Sequence, residues 1–437
     1  MRVLLVWRSG LLALALAGLA PVAVRSQAPP PAAEETGAAS ATLDQLVREA
    51  LQSNPAVQSA LRRVEALRRR VPQARSLPDP VLSVGWMGDA KPFGVQREDP
   101  SSYRAVSAVQ EIPFPGKLRL RADMADREAQ AAMWDYEEVR RRVVADVKAA
   151  YYDYFYYNRA LDITFKDQEL LEKLTRIAET RYQVGQGLQQ DVLKAQVELS
   201  RLQQRLTVLE QQQRIARARL NTLLARDPDV PLAVPATLEA APLPYSLDSL
   251  YQLARENDTG LQREQKLIER SQVAVNLARR EYYPDLAVGY TYQNRPLLPE
   301  MHGLTFSVRI PVFYRTKQRE GVAEATQSLL GAQRDRDDRW TTVAFEVKQQ
   351  YLLAKASEEL FQLYSRAIVP QSSLALESSL ASYQVGKIDF LTLMESFATV
   401  LDYELEYYRE LANYQIALAR LEPLVGVELT GERIGAP

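Results

Sequence analysis

The chain has 437 residues, 46% of them hydrophobic and 25% charged, with a net charge of −1, one His and no Cys. That hydrophobic share excludes a disordered chain, and the balanced charge excludes a nucleic-acid surface despite Arg runs such as "RRVEALRRR" from Arg62, which suit a solvated helix face. One His and no Cys assemble no Ser-His-Asp, Cys-His or His-rich metal set, so no enzyme, cofactor or metal site is expected, and His302 in "LLPEMHG" reads as a loop residue.

Residues 1–26 read as a secretory signal: Arg2 and Arg8, an apolar stretch from Leu11 to Ala20, then small residues with cleavage after Ala23 or Ser26. A Pro- and Ala-rich linker, 27–41, follows. No later segment reaches the ~18 to 20 apolar residues of a spanning helix, and without Cys there is no site for a lipid anchor. Whatever holds this chain in a membrane is then neither a helix nor a lipid.

From residue 42 the period is helical up to about residue 75, where "LPDP" breaks it because Pro lacks a donor N–H. Two extended stretches follow, at about 80–90 and 101–112. Leu82, Val84 and Trp86 alternate cleanly, whereas "SSYRAVSAVQE" from Ser101 is only partly regular. One continuous helix is predicted from about Lys117 to Tyr182, some 65 residues and roughly 100 Å long. After a turn, a helix of about 35 residues begins near Asp191. Its seam steps by three and four through Val192, Ala195, Leu199, Leu202, Leu206, Leu209, Gln213, Ala216, Leu220 and Leu223, a coiled-coil period.

A Pro-rich connector, 226–245, precedes a second series of the same kind. A helix is expected over 246–282, then strands at about 285–294 and 303–312. In these, Leu286, Val288, Tyr290 and Tyr292, and Leu304, Phe306, Val308 and Ile310, alternate with small or polar residues. Another long continuous helix is expected from about Lys317 to Tyr383, followed by one from Asp389 whose seam, Leu393 to Leu424, is larger and more polar. Strand runs of about 10 residues with one apolar face fit tilted membrane strands, and Trp86, Tyr290 and Tyr292 fit an interfacial girdle. The aromatic run "YYDYFYYN" from Tyr151 encircles its helix and reads as packing on every side.

The two series match residue by residue. "TLDQL" from Thr42 answers "SLDSL" from Ser246, Pro78-Asp79 answers Pro284-Asp285, "EIPF" from Glu111 answers "RIPV" from Arg309, and Val147-Lys148 answers Val347-Lys348. A unit of about 200 residues is duplicated, as repeats 42–225 and 246–426 with a tail at 427–437. Each helical hairpin turns at the same four residues, Tyr182, Gln183, Val184, Gly185 and Tyr383, Gln384, Val385, Gly386. Glycine suits the left-handed residue that ends a helix. Identity at all four positions exceeds what a turn needs and marks the tips as surfaces that a partner reads.

The signal, the duplicated unit, strand pairs bounded by "LPDP" and "QEIPFPGK", the long helices and the twin "YQVG" tips together resemble the TolC family of outer-membrane efflux factors, over residues 42–426. That resemblance implies a mainly α fold with a membrane β-barrel portion, in which duplicated helix-strand-strand-helix-helix units form a trimeric 12-strand barrel continued by an α-helical barrel. It also implies outer-membrane lipid around the strands, and tips that dock a periplasmic adaptor and an inner-membrane pump. The family's periplasmic gate falls on Asp191, Thr392 and Glu395. Four strands per chain cannot close a membrane barrel, for which roughly eight is the minimum, so a homotrimer also follows from strand count. "PFPGKL" from Pro113 is similar to the heavy-metal-efflux branch, although six Met, one His and no Cys supply no metal-handling cluster. The alternatives are a periplasmic coiled-coil scaffold or adaptor without membrane strands, and a passive porin that needs no partner.

Overall fold

The computed structural model describes residues 42–430 apart from 97–98, 234–237, 239 and 241. The expected signal, the linker and the last seven residues of the tail lie outside the described residues. Among those described, no helix is long and apolar enough to cross a membrane.

Each repeat opens on a broken helix where the sequence predicted one continuous helix. The first is α1 (Leu43–Ser53) and α2 (Pro55–Arg75), the second α5 (Leu247–Asn257) and α6 (Thr259–Arg280). The break falls at corresponding residues. Asn54 accepts from the Ala56 N–H at 2.9 Å with Pro55 behind it, and Asp258 accepts from the Leu261 N–H at 2.8 Å. Both are N-caps whose side chains compete with the helix for its own donors. The helical period runs across the break, so it does not register there.

The strands are β1 (Val81–Met87), β2 (Tyr103–Ile112), β3 (Asp285–Asn294) and β4 (Met301–Arg309), one antiparallel sheet in chain order. β1 is shorter than expected, and β4 begins early enough to contain His302. This corrects the reading of His302 as a loop residue: it pairs with Tyr292 and its ring nitrogen lies 2.7 Å from the Tyr290 hydroxyl. The registers align Leu82, Ala108, Tyr290 and Leu304 in one row, and Gln110, Val288 and Phe306 in another. One face is therefore mostly apolar across all four strands, with Arg104 and Gln110 of β2 among its polar members. The opposite face carries Ser83, Gly85, Ser107, Gly289, Thr305 and Ser307. Among the described residues the outer edges of β1 and β4 carry no strand partner.

Each hairpin feeds a rod. In the first repeat these are α3 (Lys117–Gln183), 67 residues or about 100 Å, and α4 (Gln189–Leu223). In the second they are α7 (Gln318–Leu363), α8 (Val369–Gln384) and α9 (Phe390–Val425). α3 is the hub, packed against α1, α2, α4, α6 and α9. Tyr151, Tyr152, Tyr154, Phe155 and Tyr156 are accordingly all buried around its circumference.

The second long helix is not continuous as expected. A π-helical turn, Tyr364–Ile368, separates α7 from α8, just ahead of Pro370, which has no N–H to donate. Val347 lies 200 residues after Val147, but Tyr383 lies 201 after Tyr182. The second repeat has one residue more over this interval, and a wider turn absorbs one inserted residue without breaking the rod.

Candidate functional site

The far ends of the rods are built alike from the backbone up. Gly185 has φ 73° and Gly386 φ 74°. The N–H groups of Gly185 and Gln186 donate to the carbonyls of Tyr182 and Arg181, and those of Gly386 and Lys387 to Tyr383 and Ser382. This double bond closes a helix whose next residue is left-handed, and a side chain at either glycine would be strained there.

The side chains on these matched turns diverge. Tyr182 is 46% exposed, whereas Tyr383 is 4% exposed, its ring 5.5 Å from Phe390 within the cluster of Leu174, Ala178, Leu393 and Phe397. Arg181 reaches the same ring. Its guanidinium lies 4.8 Å from the Tyr383 ring centroid and donates to the Tyr383 carbonyl. Repeat two has Ser382 at the matching position and cannot offer the same reach. Burial, then the charge of Asp191, raises the Tyr383 hydroxyl above its ordinary pKa, and this hydroxyl has no hydrogen-bond partner among the described residues. The signal for Arg181 in the sequence was a difference beside the repeat, where the eye goes to the identity. Val184, Val385 and both Gln side chains at the tips are exposed.

Of the three gate candidates, the fold brings Asp191 toward Tyr383 of the other hairpin. Thr392 and Glu395 lie exposed on the first turns of α9. The acids do not match in position. In α4 the cap residue is Leu188, and Asp191, three residues on, receives its N–H at 3.5 Å. In α9 the cap itself is the acid: Asp389 accepts from the Thr392 N–H at 2.9 Å and its hydroxyl at 2.6 Å. These bonds, the Thr392 hydroxyl first, hold the Asp389 carboxyl below its ordinary value. Between the two helix starts runs a groove of about 570 Å³, lined by Leu193, Lys194, Val197, Leu391 and Met394. Among the described residues no three His, Asp or Glu side chains cluster as a metal site would require.

The sequence profile of the family described as "Outer membrane efflux protein" matches residues 46–226 and 250–427, most of both repeats. The chain belongs to that family. It is an outer-membrane protein that extends into the periplasm. The curated protein "Cobalt-zinc-cadmium resistance protein CzcC" of Cupriavidus metallidurans is 21% identical over 399 residues, 88% of this chain and 90% of that one. Among solved structures, the outer membrane protein VceC of Vibrio cholerae superposes with a TM-score of 0.74 at 16% identity, covering 88% of this chain and 96% of that one. The CmeC outer membrane channel of Campylobacter jejuni superposes with a TM-score of 0.75 at 14% identity, covering 88% and 85%. The efflux proteins of this fold are channels.

Proposed function

We propose that three copies of the chain form the outer-membrane exit duct of a tripartite efflux system, with a 12-strand barrel in lipid and a helical barrel across the periplasm, docked by its tips to an adaptor and an inner-membrane pump. The observation that carries this reading is the sheet: four strands, one mostly apolar face and two unpaired edges. Unpaired backbone in lipid costs several kcal/mol per group, so edges of this kind require closure. Aromatic side chains support the placement. Trp86, Tyr290 and Tyr292 lie toward the end far from the rods, and Tyr282, Tyr283, Phe313 and Tyr314 lie where strands meet helices.

Asp191, Thr392 and Glu395 are the proposed periplasmic gate, and Tyr182 to Gly185 with Tyr383 to Gly386 the adaptor-docking turns. The metal-resistance relative makes divalent cations the first cargo to assay. Detergent-extracted protein is expected as a trimer of ~140 kDa, three times the 49.4 kDa of one chain less the signals. A stable monomer in analytical ultracentrifugation would end the barrel reading. Gly386→Arg is expected to abolish export while trimer yield holds, and an equal fall in both would show that the glycine only closes its turn.

A further inference from the structure

Inside the chain, β2 and β3 join the two repeats, and their base is locked. Lys117, 1% exposed, lies 2.9 Å from Asp285 and 3.0 Å from Glu281, and also donates to the Tyr283 carbonyl. Asp285 accepts the Phe114 N–H as well, and the Phe114 and Tyr283 rings stack at 4.6 Å.

The duplication supplies a counterpart to each member of this lock at the free edges of the sheet. Asp285 corresponds to Asp79, Lys117 to Lys317, Glu281 to Arg75, Phe114 to Val312 and Tyr283 to Leu77. Arg75, Leu77, Asp79, Val312 and Lys317 are all exposed. The correspondence is confirmed by geometry: Val81 faces Val109 in the first hairpin, and their counterparts Ala287 and Ser307 face each other in the second. The rods repeat the pattern. Ala145 and Tyr152 on α3 are 6% and 2% exposed, while their counterparts Phe345 and Leu352 on α7 are 65% and 54% exposed. What repeat one covers within the chain, repeat two leaves open, and the surface with the matching shape is repeat one of another copy.

We infer that neighbouring copies join β4 to β1 with Phe306 opposite Val84, the register that copies Ala108 opposite Tyr290 in β2 and β3, and that Lys317 of one copy locks onto Asp79 of the next. The inference rests on the trimer proposed above and adds its seam. The copy of the lock is imperfect, because Arg75 stands where Glu281 stands inside the chain, so like charges meet at each seam between copies. The seam between chains is therefore the weaker of the two and the one from which the barrel opens apart.

The chain has no Cys, so thiols can be placed without background. Val84→Cys with Phe306→Cys, extracted in detergent and treated with a short bis-maleimide, is expected to give a covalent trimer on a denaturing gel, and Val84→Cys with Val308→Cys far less. In the second arm, Asp79→Lys lowers the temperature at which the trimer dissociates, Asp79→Lys with Lys317→Asp restores it, and Arg75→Glu raises it above wild type. A trimeric wild type together with a Val84→Cys, Phe306→Cys variant that assembles but does not cross-link overturns the register. Unchanged dissociation in Asp79→Lys overturns the lock. Either result leaves the trimer standing, whereas a wild-type monomer removes the trimer and the seam together.

Discussion

The two repeats share their elements and registers but not their burial. α9 buries residues along two faces, from Phe390 to Val425, because it packs against α3 as well as against α7 and α8. α4 buries a narrow seam against α3 and leaves Leu193, Val197, Val208 and Ile215 exposed. The same sense holds at the tips, where Tyr383 is buried and Tyr182 exposed, but it reverses at the sheet base, where Lys117 of repeat one is buried and Lys317 of repeat two exposed. Each repeat is interior to the chain on a side where the other is not. On the proposed ring of three copies, each contact of the duplicated unit is made twice, once within a chain and once between chains, and one isolated copy then shows half of its contacts made.

The strongest test of this contrast is Lys117→Met, which strands Asp285 beside a buried methionine. Removing one partner of a buried pair costs about 3–5 kcal/mol, so thermal unfolding in detergent should fall sharply, while Lys317→Met in a non-assembled chain leaves unfolding unchanged. Equal losses would mean that the two lysines do not differ as their burial says. Next is Tyr383→Ala, at about 3 kcal/mol for a buried aromatic, against Tyr182→Ala at less than about 0.5 kcal/mol for an exposed one. On the docking proposal Tyr182→Ala instead weakens adaptor binding, read by pull-down with the trimer intact.

A third test uses a carboxylate that only repeat one carries into the interior. Burial first, then Glu404 on α9, pushes Asp167 on α3 up to about 7 against the pull of Arg205 and Lys166, and one of its oxygens has no hydrogen-bond partner among the described residues. The folded chain thus keeps a proton that the unfolded chain releases near pH ~4. Stability from this group is present below that pH and is lost as pH rises through about 7. Asp167→Asn should flatten this slope and be the more stable protein at pH 8. An unchanged slope would exclude Asp167 as its source. The smallest effect is expected at the caps: Asp389→Ala should lower the melting temperature slightly, and Leu188→Asp should raise it by giving α4 the cap that α9 already has.

Strand positions, rod lengths and tip turns were legible because each follows from local rules: a period of two, a period of 3.6, and a glycine at positive φ. The π-helical turn was also present in the sequence, as the change from 200 to 201 residues between matched positions and as Pro370, yet the helical period alone passed over both. The breaks at Asn54 and Asp258 passed unseen because a cap interrupts hydrogen bonding without interrupting the apolar stripe. The sequence by itself determined the duplication, and with it which residues occupy equivalent places. Only the tertiary structure decided which member of each equivalent pair is covered, since burial depends on the neighbour across the sheet or rod. Tyr182 and Tyr383 sit in identical four-residue words, but only Tyr383 joins the cluster of Leu174, Ala178, Phe390 and Leu393, with the Arg181 guanidinium 4.8 Å from its ring.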